Sequence, residues 1–275
     1  MIKRIVTFVI SYTYGLLSCF YLFTIGFLFA KNRSLLFTIC AHFGYIKKSK
    51  VDWALEIIPE VDLAELVQEN TPIQLRELVG SDITPSLLEI TIINKLIKVH
   101  NPITLFEFGT YNGRTTLNMA SNCAEKGIVY TLDLPKDPPV STKPETHDVD
   151  KSFFDGRLVD KEIIGSKYLG TDYERKIIQL YGDSATFDFS PFFDTIDFIF
   201  IDASHYYEYV LNDSRKALKL LRNGQGVILW HNYGPHYGQL WEGAVEALNR
   251  LYSEGGDFKG LRHIKGTTLV CLMLE

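Results

Sequence analysis

Several acidic and imidazole side chains stand where an apolar run of the 275-residue chain gives way to a turn. Asp202 closes Ile196-Asp197-Phe198-Ile199-Phe200-Ile201 and is followed by Ala203-Ser204-His205. His231-Asn232-Tyr233-Gly234 follows Gly226-Val227-Ile228-Leu229-Trp230. A carboxylate and two imidazoles at such ends can take a proton from a hydroxyl, and histidine ordinarily titrates near neutral pH. Asp202, His205 and His231 are therefore the candidate bases, although both histidines would equally suit bonds to neighbouring loops. Glu107 lies near the end of Ile103–Phe108 and precedes Gly109-Thr110-Tyr111-Asn112-Gly113. An acid there repels a pyrophosphate and suits a ligand with an amino group or a sulfonium. The pattern is E-x-G-x-x-x-G, not the G-x-G-x-x-G of a dinucleotide cradle. Asp133 ends the run Ile128–Leu132, where an acid can accept hydrogen bonds from both ribose hydroxyls of a nucleoside, or simply serve a turn. Gly182-Asp183-Ser184 follows Ile177–Tyr181 and equally reads as a plain turn. Asp202 and the Asn232 carbonyl are weak candidates for a hard cation. With no obvious third acid and no recognised ligand spacing, a divalent metal is not favoured.

These residues need a scaffold, and the pattern supplies one. Apolar runs at 103–108, 128–133, 177–181, 196–202 and 226–230 read as buried strands, because strands covered on both faces lose their alternation. Helical patterns separate them: from about Gly113, from Tyr209 to Leu221, and from about Trp241 to Tyr252. Before the first strand, Thr84-Pro85 reads as a cap and first helical residue, with a helix to His100 stopped by Asn101-Pro102. Leu261–Ile264 and Thr267–Leu274 can pair through Lys265-Gly266. Strand–helix alternation predicts an α/β fold with a mostly parallel sheet and helices on both faces. Right-handed crossovers then bring Glu107, Asp133, Asp183, Asp202 and His231 to one sheet edge. Residues 136–175, rich in Pro and aromatics, read as a lid or substrate-selecting insertion.

Net charge is −5, unevenly spread: residues 1–50 carry +7 and no acid, and the remainder carries −12. An acidic body is a poor surface for polyanions, so a nucleic-acid substrate is disfavoured. Cys19, Cys40, Cys123 and Cys271 are scattered in apolar contexts and read as small core residues without a disulfide framework. Ile5–Ala30 is 26 residues without a charge. At ~1.5 Å per residue it would cross a hydrocarbon core of ~30 Å. The expectation is a membrane helix over residues 5–30; a buried core helix is the other reading of such a run. The positive charges between Lys31 and Lys50 place the body in the cytosol as a single-pass protein. The apolar patch 35–46 is too short to span and suits the headgroup layer. The domain plan is an anchor and basic segment over 1–50, a helical connector or cap over 51–100, and a catalytic domain over 101–275.

Together, E-F-G-T-Y-N-G-R-T-T from Glu107, L-D at 132–133, G-D-S at 182–184, I-D-A-S-H-Y-Y-E-Y-V at 201–210 and G-V-I-L-W-H-N-Y-G at 226–234 resemble the class I S-adenosylmethionine (SAM) methyltransferases. The similarity is to a subgroup with D-x-x-H after strand four and W-H-[DN]-Y after strand five, over about residues 84–274. It implies a Rossmann-like seven-stranded sheet whose last strand is antiparallel, with SAM as methyl donor. It implies that Glu107 lies near the methionine amino group and that Gly109, Thr110, Asn112 and Gly113 line the methionine end. Asp133 would hold the ribose, Asp183 and Ser184 would flank adenine, and Asp202 would lie beside the transferred methyl. The expected activity is O-methyl transfer to a small-molecule, sugar or lipid-linked acceptor. Asn232 stands where the family pattern has aspartate, which keeps open a non-catalytic SAM-binding or scaffold protein of the same fold.

Overall fold

The computed structural model describes residues 2–28, 57–80, 84–135, 164–236, 239–240 and 242–275. The chain divides into two compact units, Met1–Leu55 and Glu56–Glu275.

In the first unit, helix α1 runs Ile2–Phe23. It stops where Thr24 Oγ1 donates to the Phe20 carbonyl at 2.7 Å and the Thr24 amide to that of Tyr21 at 3.2 Å. A short 3₁₀ turn, Ile25–Leu28, follows. Among the described residues no helix is long and apolar enough to cross a membrane. The spanning helix expected over 5–30, and with it the single-pass, cytosol-facing placement, is therefore not supported. An uncharged run in the sequence is not one continuous helix here: it closes at Phe23, and Ser11-Tyr12-Thr13-Tyr14-Gly15 and Ser18 dilute its apolar character. The patch 35–46 and its flanking lysines lie outside the described residues. Cys19, expected in a core, is exposed, whereas Cys123 and Cys271 are buried and free.

The second unit is built on one sheet. Its strands are β1 (Glu60–Val61), β2 (Thr104–Phe108), β3 (Ile128–Asp133), β4 (Ile177–Tyr181), β5 (Phe198–Ile201), β6 (Gly226–Trp230), β9 (Arg262–Ile264) and β10 (Val270–Leu274). The spatial order is β1-β9-β10-β6-β5-β2-β3-β4. Strands β6, β5, β2, β3 and β4 are mutually parallel, and β10 is antiparallel to both β6 and β9. The expected antiparallel last strand is thus present, in the pairing read from Leu261 to Leu274. Among the described residues the sheet has eight strands instead of seven. The extra one, β1, pairs parallel to β9 through Glu60 and Val61. Two residues are too few to leave a period in the sequence. A separate two-stranded ribbon joins β7 (Pro235–His236) to β8 (Gln239–Leu240).

The helices of this unit are α2 (Leu63–Leu66), α3 (Leu87–His100), α4 (Arg114–Asn122), α5 (Tyr207–Leu220) and α6 (Glu242–Glu254). Alternation inside the buried strands decides which helices cover which face. Phe198 and Phe200 of β5 point to the side of Ile90, Ile93, Leu96 and Ile97 of α3 and Met119 and Ala120 of α4. Ile199 and Ile201 point to the other side, against Val210 and Ala217 of α5 and Ala247 and Leu251 of α6. Both faces are buried, so the apolar runs are continuous. Helix α3 is capped by Ser86, not Thr84. Its Oγ accepts from the Glu89 amide at 3.2 Å, while Glu89 Oε2 accepts from the Ser86 amide at 2.8 Å. This reciprocal box satisfies two amides that the start of a helix leaves without partners, so the helix begins two residues later than Pro85 alone indicates. Asn101, at φ 45°, ends it in the left-handed conformation.

Candidate active site

The carboxyl ends of the five parallel strands form one edge, as their register requires. Phe108 pairs with Leu132 and Ile201, Asp133 with Tyr181, and Ile201 with Trp230. A cleft of about 440 Å³, counting the space at its mouth, opens on this edge. Gly109, Thr110, Tyr111, Asn112 and Thr115 form one wall, Thr84 and Pro85 another, and Asp202, Ala203 and His205 a third. Gly109 has φ 92°, and a Cβ there would stand 2.3 Å from the Asp202 carbonyl oxygen. Only glycine lets the β2 turn pass the end of β5 this closely.

Glu107 lies beneath the turn with no exposure. Its Oε2 accepts from Thr116 Oγ1 at 2.5 Å and Thr131 Oγ1 at 2.6 Å. Its Oε1 is buried without a hydrogen-bond partner among the described residues. Burial pushes the carboxyl up to about 8; the two hydroxyls oppose the shift, and Asp202 and Asp133 add to it. A buried acceptor oxygen left without a donor is costly to the protein alone. Its chemistry fits the cationic amino group of an amino-acid ligand.

Asp133 and the third turn are more occupied. Asp133 Oδ2 accepts from the Thr110 and Tyr111 amides at 3.0 and 2.7 Å, and Oδ1 from the Leu134 amide at 2.7 Å. The carboxylate thus shapes the glycine turn from below. Asp183 takes the Ala185 amide at 2.8 Å and the Tyr209 hydroxyl at 3.0 Å. Ser184 donates to Asp213 at 3.0 Å. These bonds bind the end of β4 to α5. Asp133, Asp183 and Ser184 share the edge but do not line the cleft. Gly113 caps α4 at φ 80°, against the ring of Tyr168, and Asn112 Oδ1 accepts the Arg114 amide at 3.1 Å.

The candidate bases form a chain. His231 Nδ1 stands 3.0 Å from Asp202 Oδ1, and its Nε2 stands 3.4 Å from Glu89 Oε2. His205 Nε2 is 3.8 Å from the same Asp202 oxygen. Burial alone would lower the His231 pKa, but the Asp202 and Glu89 carboxylates outweigh it and push the imidazole up to about 10. Burial likewise opposes ionisation of Asp202, yet the two histidines hold it down to about 2. Glu89 is held well below the usual carboxylate range: burial resists, but His231 and the Thr268 and Ser86 amides prevail. His231 is almost wholly buried behind Asp202, whereas His205 borders the cleft. Asn232, buried at φ 71°, does not line it. Among the described residues no group of three or more His, Cys, Asp or Glu is placed to hold a metal ion.

Two features escaped the sequence reading. Glu89 is a fully enclosed acid on α3, and its signal was Ser86-Leu87-Leu88-Glu89, an S-x-x-E box. The other is the strap of residues 72–80, pinned along α4. Asn122 Oδ1 takes the Gln74 amide, Asn118 Oδ1 the Arg76 amide, and Arg114 Nε donates to the Glu77 carbonyl, at 2.8, 3.0 and 2.7 Å. Arg114 Nη1 also reaches the Pro85 carbonyl at 2.6 Å, which holds that wall of the cleft. The spacing of four from Arg114 to Asn118 to Asn122 was the available signal. Of the proposed lid, residues 136–163 lie outside the described residues. Beyond them, the Gly165 and Lys167 amides donate to the Tyr111 and Asn112 carbonyls, each at 2.9 Å, and Tyr168 OH donates to Gln179 at 2.7 Å.

Residues 106–233, which include every candidate site residue, match a family model described as a methyltransferase domain. That match spans the five parallel strands and the cleft at their edge, so this part of the chain is similar to methyltransferase domains. No curated protein matches the chain. Among solved structures, an O-methyltransferase from Streptomyces achromogenes involved in tomaymycin synthesis, in complex with SAM, is 16% identical over 86% of this chain and 96% of its own, at a TM-score of 0.44. An O-methyltransferase from Bacillus cereus in complex with SAH is 16% identical over 80% of this chain and 94% of its own, at 0.43. A SAH-bound methyltransferase from Podospora anserina is 16% identical over 70% and 81%, at 0.44.

Proposed function

We propose that this chain methylates a hydroxyl of a small-molecule or sugar acceptor, with His205 as the base at the cleft and Asp202 as its partner. The observation that carries this reading is the division between the two histidines. His231 is buried between two carboxylates that keep its proton on, so it cannot accept another. His205 borders the cleft beside Asp202. When bound, SAM supplies an electrophilic methyl on a sulfonium. Glu107, through Oε1, would take its amino group, and Gly109, Thr110 and Asn112 would flank its methionine end. Asp133 is proposed for the ribose and Asp183 and Ser184 for the adenine, each beyond the bonds it already makes. The acceptor hydroxyl would approach on the Asp202–His205 side, in line with the methyl and sulfur. His205 would take its proton as the oxygen–carbon bond forms and the carbon–sulfur bond breaks, its electron pair remaining on the sulfur of the departing thioether. Much of the rate would come from holding donor and acceptor together.

The lipid-linked acceptor drew its support from the anchor and is not carried forward. A non-catalytic scaffold rested on Asn232, which is buried away from the cleft lining, so its replacement of an acid takes nothing from that lining. The experiment is methyl transfer from labelled SAM into fractionated small-molecule extracts, with Mg²⁺ added or chelated. Transfer is expected, and His205→Ala should lower kcat by roughly 10²–10⁴-fold with little change in SAM affinity. SAM binding without transfer into any fraction would return the scaffold reading.

A further inference from the structure

We propose that Glu89, outside the cleft, is a positioning residue of the methyl-transfer site: it fixes the His231 ring from the side opposite Asp202, and so sets the Asp202 oxygen that His205 faces. The inference rests on the reading of His205 as the base.

Three elements meet at His231. Helix α3 brings Glu89 to Nε2 at 3.4 Å, and the end of β5 brings Asp202 to Nδ1 at 3.0 Å. The third is the turn before β10, whose Thr268 amide and hydroxyl each donate to Glu89 Oε1 at 2.8 Å. Glu89 thus accepts from three donors, the Ser86 amide and the two Thr268 groups, and its Oε2 stands in ion-pair contact with the imidazole. An imidazole with a carboxylate on each nitrogen has one orientation and carries a proton on both nitrogens. It therefore presents a fixed donor to Asp202 Oδ1. The same oxygen lies 3.8 Å from His205 Nε2. Among the described residues, Glu89 and Asp202 are charged groups beside His231; Asp202 is also near His205 and, beneath the turn, Glu107. The Phe200 ring, centred 6.5 Å away, supplies an uncharged wall. A capping glutamate needs only the Ser86 amide. The bonds from Thr268 to Oε1 add nothing to the cap; they fix the carboxylate so that Oε2, which accepts from the Ser86 amide, also faces His231.

The full-length protein with ¹⁵N-labelled histidine rings gives a readout that needs no acceptor. Glu89→Gln keeps a capping acceptor but removes the charge, and Ser86→Ala removes a capping bond but leaves Glu89 facing His231. Losing an opposite charge at this distance should move the His231 midpoint down by about 1–3 pH units in Glu89→Gln, and the His205 ring signals should shift with it. In Ser86→Ala both rings should titrate as in the parent, even if the protein melts earlier. Glu89→Asp, with the charge retained on a shorter arm, should restore part of the His231 midpoint. Unchanged His205 signals in Glu89→Gln, or equal effects of Ser86→Ala, would reduce Glu89 to a cap and overturn the proposal. SAM titration by calorimetry on the same samples separates the two readings. Loss of SAM binding in the parent would sink the methyltransferase site itself, whereas normal binding with unmoved rings would sink only the role of Glu89.

Discussion

At Glu107 two hydroxyls share one carboxylate oxygen, and the other oxygen has no donor among the described residues. Burial raises this carboxyl from its ordinary 4.5 to about 8. The sign follows directly. The folded protein holds the proton across that window while the unfolded chain does not, so stability falls as pH rises from 4.5 towards 8. A cationic amino group placed against Oε1 reverses the preference and drives the proton off. SAM binding at pH 7 should therefore release up to about one proton, seen as a dependence of calorimetric heat on the ionisation enthalpy of the buffer. Glu107→Gln should abolish that dependence and be more stable than the parent at pH 9, with little difference at pH 4. Buffer-independent heat in the parent would show that Glu107 does not meet the amino group.

At the scale of elements, the strap 72–80 and helix α4 act as one piece. Asn118 is its centre: Oδ1 accepts from the Arg76 amide and Asn94 Nδ2, and Nδ2 donates to the Arg76 and Arg114 carbonyls. Asn118→Ala strips these partners from buried groups, each such loss costing about 1–3 kcal/mol. Urea denaturation should show destabilisation of that order. Because Arg114 ties the strap to the Pro85 carbonyl, SAM affinity should weaken as well. A neutral effect on both would mean that the strap does not hold the cleft wall.

For the whole molecule, the two compact units make a separable prediction. Residues 56–275 contain the complete sheet and every candidate site residue. Expressed alone, they should unfold in one cooperative transition and bind SAM with the affinity of the full chain. A large loss of affinity would assign the first unit a part in the site. The sequence located the parallel strands of this body well, for a physical reason. Strands buried on both faces must be continuously apolar, and the runs at 103–108, 128–133, 177–181, 196–202 and 226–230 have few other readings. It read residues 5–30 less well, because absence of charge reports composition and not helical continuity. Thr24, bonding back to Phe20 and Tyr21, ends the helix inside that run.

What the sequence determined by itself is the order of strands and the acids at their ends. Both follow from periodicity and from polar residues that local apolar context makes conspicuous. Only the tertiary structure decided how those acids divide their work. Glu107 keeps an unused oxygen under the glycine turn, Asp133 spends its carboxylate on the backbone of that turn, and His231 is sealed behind Asp202 by an acid from a helix more than 100 residues earlier in the chain. Such assignments depend on which groups share a small volume away from water, and sequence spacing carries no record of that.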